Sequence, residues 1–425
     1  MALANSDQEH DVETEIAIAG GGLVGAALAL GLAQSGISSA VIEAEPLIDD
    51  AAAATDGRAS ALGYPSWRML LALGLGPELE PHAQPIDQIL ITDASQSKIT
   101  RKFQSSPLSL HFDSREKPIG GPLGMMVENR HLRCALARAL TANPKIRVLA
   151  PARIARLEAL PAKARARLED GRDLNAALVI GAEGRRTAVR AAMDVRLIQV
   201  DYEQTALVAT LAHDRAHDGV AHQMFLPGGP VALLPLQGHR TCLVWSEKTA
   251  FAKSVLAQSP DVALREIRAR IGAVLGEISL EGQLWSFPLS MALAETWVKS
   301  RLALAGDAAH AIHPIAGQGL NLGLRDAAAL AETLRDARRS GADLGAETTL
   351  LRYQRWRRFD TATTAFACDA FNRLFSNAIA PVRLARRLGL AGVDAIGPLR
   401  RLAMQIAAGG AGDLPLLLRG EALAP

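Results

Sequence analysis

EIAIAGGGLVGAALALGLAQSGISSAVIE, residues 15–43, is the stretch whose reading decides the fold. Ile16 and Ile18 alternate with small residues as in a strand, and residues 40–42 form a second short apolar strand. Between them an Ala- and Leu-rich run reads as a helix extending to about Ser35. Gly20, Gly22 and Gly25 fall between strand and helix at GxGxxG spacing, so the motif has the βαβ context it requires. Gly20 permits the tight turn, Gly22 lets a pyrophosphate approach the backbone, and Gly25 lets the helix lie close to the strand; Leu23 and Val24 occupy the positions between. The phosphates then meet free N–H groups at the helix start. Glu43 ends the second strand, where a carboxylate accepts hydrogen bonds from an adenosine ribose. Its charge repels a 2′-phosphate, which points to FAD or NAD rather than NADP.

The same run has a rival reading. Residues 16–42 carry no charged side chain and contain a GxxxG, from Gly21 to Gly25, as a membrane span does. Against it, Gly20 to Gly22 would sit inside the span, Gln34, Ser35, Gly36, Ser38 and Ser39 interrupt it, and basic flanks are missing. The preceding acids Asp7, Glu9, Asp11, Glu13 and Glu15 are the opposite of a signal peptide's positive region. The expectation is a cytoplasmic chain.

A second Gly-rich turn lies far downstream, in LALAGDAAHAIHPIAGQGLNLGLRD, residues 302–326. A short apolar strand delivers Gly306 and Asp307, and a carboxylate at a strand end suits the hydroxyls of a ribityl chain. Pro314 stiffens the turn, Gly317 and Gly319 expose backbone N–H groups, and a helix starts near Leu320. Its positive end would stabilise negative charge on the N1–C2=O edge of a reduced isoalloxazine. An NAD enzyme has no use for this second turn, so the pair of turns selects FAD.

The run from His313 to Asp326, HPIAGQGLNLGLRD, resembles the motif of the ubiquinone-biosynthesis hydroxylases, within the p-hydroxybenzoate-hydroxylase-like FAD monooxygenases. Other segments carry the resemblance over nearly the whole chain. Asp56-Gly57-Arg58 stands where a flavin-contacting Arg is expected, and residues 128–132, ENRHL, resemble the segment whose Arg130 contacts FAD. Residues 178–190, LVIGAEGRRTAVR, resemble the motif usually written GADG with a later Arg; Glu183 replaces the usual Asp, keeping the charge on a longer arm. Phe287-Pro288-Leu289 precedes the last motif at the family's spacing, and residues 353–420 also resemble the ubiquinone group. The resemblance implies FAD contacts from Gly20, Gly22, Leu23, Val24, Gly25, Glu43, Arg58, Arg130, Glu183, Gly306, Asp307, Pro314, Gly317, Gln318, Gly319, Leu320 and Asn321.

It also implies the chemistry. NAD(P)H reduces the flavin transiently, since no second GxGxxG follows a strand, and molecular oxygen then gives a C4a-hydroperoxide that hydroxylates an electron-rich ring. The implied substrate is a polyprenyl phenol. Met224, Phe225, Leu233, Pro235 and Phe287 are candidates for its apolar pocket, with ordinary sheet core as the alternative for each. Other ubiquinone-biosynthesis proteins are implied partners. An FAD-dependent reductase or dehydrogenase of the same fold, or an FAD-binding scaffold subunit, are the competing readings. His310 and His313 share an i, i+3 spacing but lack a third ligand, so no metal is expected.

Composition agrees. The 425 residues suffice for two or three domains, and 49% hydrophobic content suits a globular chain. Cys134, Cys242 and Cys368 are mutually distant in sequence, as buried or incidental thiols are. Residues 1–50 hold nine acids and no Lys or Arg, whereas residues 350–425 hold eleven Arg against five acids. Arg355, Arg357, Arg358, Arg386, Arg387, Arg400 and Arg401 lie among apolar residues there, which reads either as a solvated helix face or as peripheral contact with anionic lipid or an acidic partner. No nucleic-acid motif accompanies the charge.

The expected architecture is α/β: a Rossmann-like FAD-binding domain, a β-sheet substrate domain and a C-terminal helical segment. The FAD-binding domain is expected to be discontinuous over residues 12–80, 125–195 and 295–345, the substrate sheet over 81–124 and 196–294, and the helical segment over 346–425. Strands are expected at 86–91, 204–211, 221–226, 231–234 and 240–246, and a hairpin turns about Asp170-Gly171. The first ten residues read as disordered.

Overall fold

The computed structural model describes residues 11–48, 50, 57–93, 110–116, 121–226, 228–313, 315–375, 404, 409–410 and 412–425. The first ten residues, Asp56, Pro314, Arg386, Arg387, Arg400 and Arg401, all singled out from the sequence, lie outside the described residues.

Five parallel strands form the centre of one sheet, in the order Leu302–Leu304, Asp173–Gly181, Val12–Ala19, Ser39–Ile42 and Ile146–Leu149. Ile16, Ile18, Val41, Val179 and Ile180 are fully buried, as expected where helices cover a parallel sheet. The expected hairpin is present: Ala164–Leu168 pairs antiparallel with Asp173–Gly181, and Gly171 supplies a positive φ of 94°.

The helix Leu23–Gln34 explains the apolar run that mimics a membrane span. Nine of its twelve residues are buried, because neighbours cover it on several sides. Gly31 approaches Ala331 of the long helix Gln318–Arg339 and Leu417 of the C-terminal turn Leu416–Arg419. Among the described residues no helix is long and apolar enough to cross a membrane.

A second sheet of eight strands runs in the order His310–Ala311, Ile278–Ala294, Leu197–His213, Arg240–Lys248, Gly229–Leu236, Val220–Leu226, Gln88–Asp93 and Leu110–Asp113. The strand expected at 86–91 divides at Asp87: Ala83–Ile86 joins a separate three-stranded sheet with Ala59–Gly63 and Gly124–Glu128, and Gln88–Asp93 enters the large sheet. Ile278–Ala294, seventeen residues long, was not anticipated as a strand.

Alternation along these strands divides the five pocket candidates. Phe225 and Phe287 pack on the face that meets Met126, Leu110 and Phe112. Met224 and Leu233 face the other way, into a core shared with the helices Thr249–Leu256 and Pro260–Ile271. A period of two puts neighbours on opposite faces, so the five cannot line one pocket, and Met224 and Leu233 are sheet core. Pro235 is buried two residues along from Leu233. A second correction concerns Arg357. It was grouped with arginines read as a solvated helix face or a peripheral contact surface, but its side chain is 3% exposed, held by Asp326 and Asp360.

Candidate functional site

The first turn is built by close approach. Gly20 has φ +100°, and a Cβ there would lie 2.5 Å from the Ala182 carbonyl oxygen. A Cβ on Gly25 would overlap the carbonyl oxygen of Gly20. A Cβ on Gly22, by contrast, would meet nothing within 4 Å. Gly22 is the N-cap of Leu23–Gln34, with no side-chain cap and no acid in the first turn. The helix therefore starts with unfilled donors facing open space, which is what a pyrophosphate needs. Glu43 reaches the same turn: its Oε2 accepts from the Gly21 N–H at 2.6 Å, and its Oε1 accepts from the Glu45 N–H at 3.2 Å.

The second turn packs directly on the first. Gly306 has φ +62° and lies against Val24, and a Cβ on Gly323 would come within 2.6 Å of Val24. Two glycines thus form a notch for one side chain of the first helix, and both turns become parts of one site. Asp307 follows the strand Leu302–Leu304 and is exposed. Gly317, at φ +61°, is the left-handed N-cap of Gln318–Arg339, whose first turn holds no acid and no side-chain cap. Gln318, Gly319 and Leu320 are half-buried at that helix start.

Asn321 has a bracing job here. Its Oδ1 accepts from Gly63 N–H at 2.8 Å, and its Nδ2 donates to Ala61 O at 2.8 Å and to Gly317 O at 3.0 Å. Glu183 likewise serves a local cap: its Oε2 accepts from the Thr187 hydroxyl at 2.5 Å and from Ala188 N–H at 3.1 Å. The longer glutamate arm reaches the start of the helix Ala188–Met193. Arg190, noted only as the later Arg of that motif, donates to Ala308 O at 2.8 Å and so ties the segment to the second turn.

Arg58 and Arg130 line a cleft of about 270 Å³ together with Glu128, Arg240, Glu281 and Trp285. Arg58 lies 5.1 Å above the Phe287 ring. Arg130 donates to Glu128 at 2.9 Å, and Arg240 bridges Glu128 and Glu281. Burial pushes the Glu128 carboxyl up, but the Arg240 and Arg130 guanidiniums outweigh it and hold the group below its ordinary value. Arg130 Nε is buried with no hydrogen-bond partner among the described residues.

His313 is the other group with buried unmet polarity. Both ring nitrogens lack a hydrogen-bond partner among the described residues, and the ring meets Tyr202 edge-on with centroids 5.0 Å apart. Burial pushes its pKa down to about 4, against a weaker opposing pull from Asp369. His310 instead places Nε2 2.5 Å from Asp326. No group of three His, Cys, Asp or Glu among the described residues is placed to hold a metal.

These features fit FAD. The open space at Gly22, two uncapped helix starts, an exposed carboxylate and an orphaned guanidinium donor offer both the donors and the acceptor that phosphates and a ribityl chain require.

Comparison with known proteins gives the same result. The family described as FAD binding domain matches residues 13–364. Ubiquinone hydroxylase UbiL of Rhodospirillum rubrum is 42% identical over 416 residues, covering 97% of this chain and 94% of the relative. The 3-demethoxyubiquinol 3-hydroxylase of Escherichia coli is 35% identical over 93% of this chain and 98% of its own length. Among solved structures, p-nitrophenol 4-monooxygenase PnpA from Pseudomonas putida superposes with a TM-score of 0.77 at 18% identity, over 95% of this chain and 100% of that one, which shows a shared fold. With two glycine turns joined through Val24 and a family match across most of its length, this chain belongs to the FAD-binding-domain family.

Proposed function

We propose that this chain is an FAD-dependent monooxygenase that hydroxylates the ring of a polyprenylated phenol in ubiquinone biosynthesis, using NAD(P)H and molecular oxygen. The observation that carries the reading is the 42% identity to a ubiquinone hydroxylase across 97% of the chain. Bound FAD supplies the redox chemistry, taking electrons from NAD(P)H and activating oxygen.

The chain's own residues do the rest. Gly20, Gly22 and Gly25 seat the pyrophosphate at the first helix, and Glu43 turns from the Gly21 amide to the adenosine ribose. Asp307 accepts from the ribityl hydroxyls, while the start of Gln318–Arg339 offers N–H groups to the flavin's carbonyl edge. Arg58 and Arg130 complete the cofactor set, and Asn321 acts by fixing the Gly317 turn. In this reading the large sheet would cover the flavin ring and exclude water, and Phe225 and Phe287 lie on the sheet face that packs on Met126, Leu110 and Phe112. In this reading residues 12–80, 125–195 and 295–345 make the FAD-binding part, 81–124 and 196–294 the substrate part, and 346–425 the helical segment.

Purified protein should bind FAD noncovalently, oxidise NAD(P)H and consume oxygen. Adding a polyprenyl phenol should give an oxygen-labelled hydroxylated product under labelled oxygen, and a poor substrate should give hydrogen peroxide. Product formation without oxygen would mark a reductase. A flavin that NAD(P)H fails to reduce even with the phenol present would mark a scaffold.

A lipid-soluble substrate also calls for contact with its membrane, and we assign that contact to the basic C-terminal segment. On its described part, the helix Glu347–Phe375 exposes Phe359 (81%) and Phe366 (53%), seven residues apart on one face, beside exposed Arg355 and Arg358. Each well-placed Arg adds about 1 kcal/mol near anionic lipid, so several suffice for reversible recruitment. Changing Arg386, Arg387, Arg400 and Arg401 together to Gln should lower sedimentation with anionic vesicles and keep FAD bound, and salt should weaken the parent's binding. Equal sedimentation of mutant and parent would leave those four residues no role at the membrane.

A further inference from the structure

The segment 304–307 carries the exposed carboxylate of the second turn, and it is anchored on both sides from outside itself. Leu304 O accepts from the Tyr353 hydroxyl at 2.8 Å. Gly306 N–H donates to Asp326 Oδ2 at 3.0 Å. Asp326 has no exposure; its Oδ2 also meets His310 Nε2, and its Oδ1 accepts from Arg357 Nε at 2.9 Å. Arg357 donates further to Asp360 at 2.6 Å and to the Thr361 hydroxyl at 3.2 Å, and Asp360 accepts from Arg325 at 2.6 Å. Tyr353 and Arg357 stand one turn apart on the helix Glu347–Phe375, so this helix reaches the turn at two points.

A carboxylate buried this deeply persists only while its partners are in place. Burial pushes the Asp326 carboxyl up, but His310, Arg357 and the Gly306 N–H together hold it below its ordinary value. Removing Arg357 takes the guanidinium partner from a buried carboxylate and leaves it to His310 and the Gly306 N–H, and the cheapest relief is a proton or a shifted side chain. Either weakens the hold on Gly306 N–H, one residue from Asp307.

We propose that Arg357 and Tyr353 are positioning residues for FAD. Through Asp326 and the Leu304 carbonyl they fix the peptide segment that presents Asp307, so the helix Glu347–Phe375 sets flavin affinity from behind the turn. This rests on the reading of Gly306–Asp307 as a flavin contact. A lysine at 357 keeps the charge but loses the planar fork that serves Asp326, Asp360 and Thr361 at once, so it restores only part of the function.

The test compares holoprotein of the parent with Arg357→Gln, Arg357→Lys, Tyr353→Phe, Asp307→Ala and Arg352→Gln. FAD dissociation constants and the visible circular dichroism of bound flavin are read well below each variant's melting temperature. Arg357→Gln should raise the dissociation constant about tenfold or more and change the flavin dichroism, and Tyr353→Phe should raise it about threefold. Arg357→Lys should fall between the parent and Arg357→Gln. Arg352→Gln, on the same helix as Arg357, breaks a surface pair with Asp336 of the helix Gln318–Arg339 and should match the parent. If Asp307→Ala weakens FAD while Arg357→Gln and Tyr353→Phe stay within about twofold of the parent, the helix is only a brace and the proposal fails. If Asp307→Ala itself changes nothing, the turn is no flavin contact and the underlying reading fails first. Should Arg357→Gln not fold, Tyr353→Phe decides alone, because it removes a single hydroxyl.

Discussion

Gly25→Ala should yield a protein that loses FAD on gel filtration and melts below the parent. The new methyl would overlap the Gly20 carbonyl oxygen and sit 3.3 Å from the Ala182 side chain. Gly20 has little room to retreat, since its N–H donates to Ile42 O at 2.7 Å and its φ of +100° suits glycine. The helix must therefore back away from the strand, at a cost of about 1–3 kcal/mol for overpacking. Its free N–H groups move with it. Losing two hydrogen bonds to a charged phosphate, at about 1.5–3 kcal/mol each, weakens FAD on the order of a hundredfold or more. Gly22→Ala separates the two effects: it enters open space, so melting should hold while FAD weakens. Stoichiometric FAD in purified Gly25→Ala would show that the close approach is dispensable.

Asp307→Ala is the second large effect, and it should appear in binding alone. The side chain is exposed, so its loss leaves the core intact. A lost hydrogen bond to a charged group, at about 1.5–3 kcal/mol, corresponds to a tenfold or greater rise in the FAD dissociation constant. Asp307→Asn keeps an acceptor without the charge and should fall between. Flavin fluorescence titration with a parallel melting curve checks both. Unchanged affinity in Asp307→Ala would remove it from the site.

The first βαβ unit was legible because its signals are local: three glycines at fixed spacing, and apolar strands on either side. Ile278–Ala294 was not, because its alternation is broken by Gly282 and Pro288 and by register shifts against Leu197–His213 between Asp201 and Gln204 and between Val208 and Thr210. The break at Asp87 was hidden for a related reason, since two strands of different sheets follow each other with one residue between. The two glycine turns and the carboxylate at the strand end, Asp307, could be placed from sequence. The links from Asp326 to Arg357 and from Tyr353 to Leu304 could not. Arg357 stands beside surface arginines in the chain, and only packing separates a buried guanidinium from a solvated one. Asn321 and Glu183 carried family-like positions that gave no sign of their bonds to nearby backbone.

The strand pairing around the second turn bears on motion. His310–Ala311 is itself a member of the large sheet, paired with Ala292 and Leu293, and Ala294 N–H donates to Ala309 O at 2.8 Å. The backbone beside Asp307 is thus continuous with the two seventeen-residue strands that run the length of that sheet. A hinge between sheet and turn would have to break this ladder, so the two travel as one stiff piece. Any rearrangement that admits a substrate should then leave the spacing between Asp307 and the large sheet almost constant.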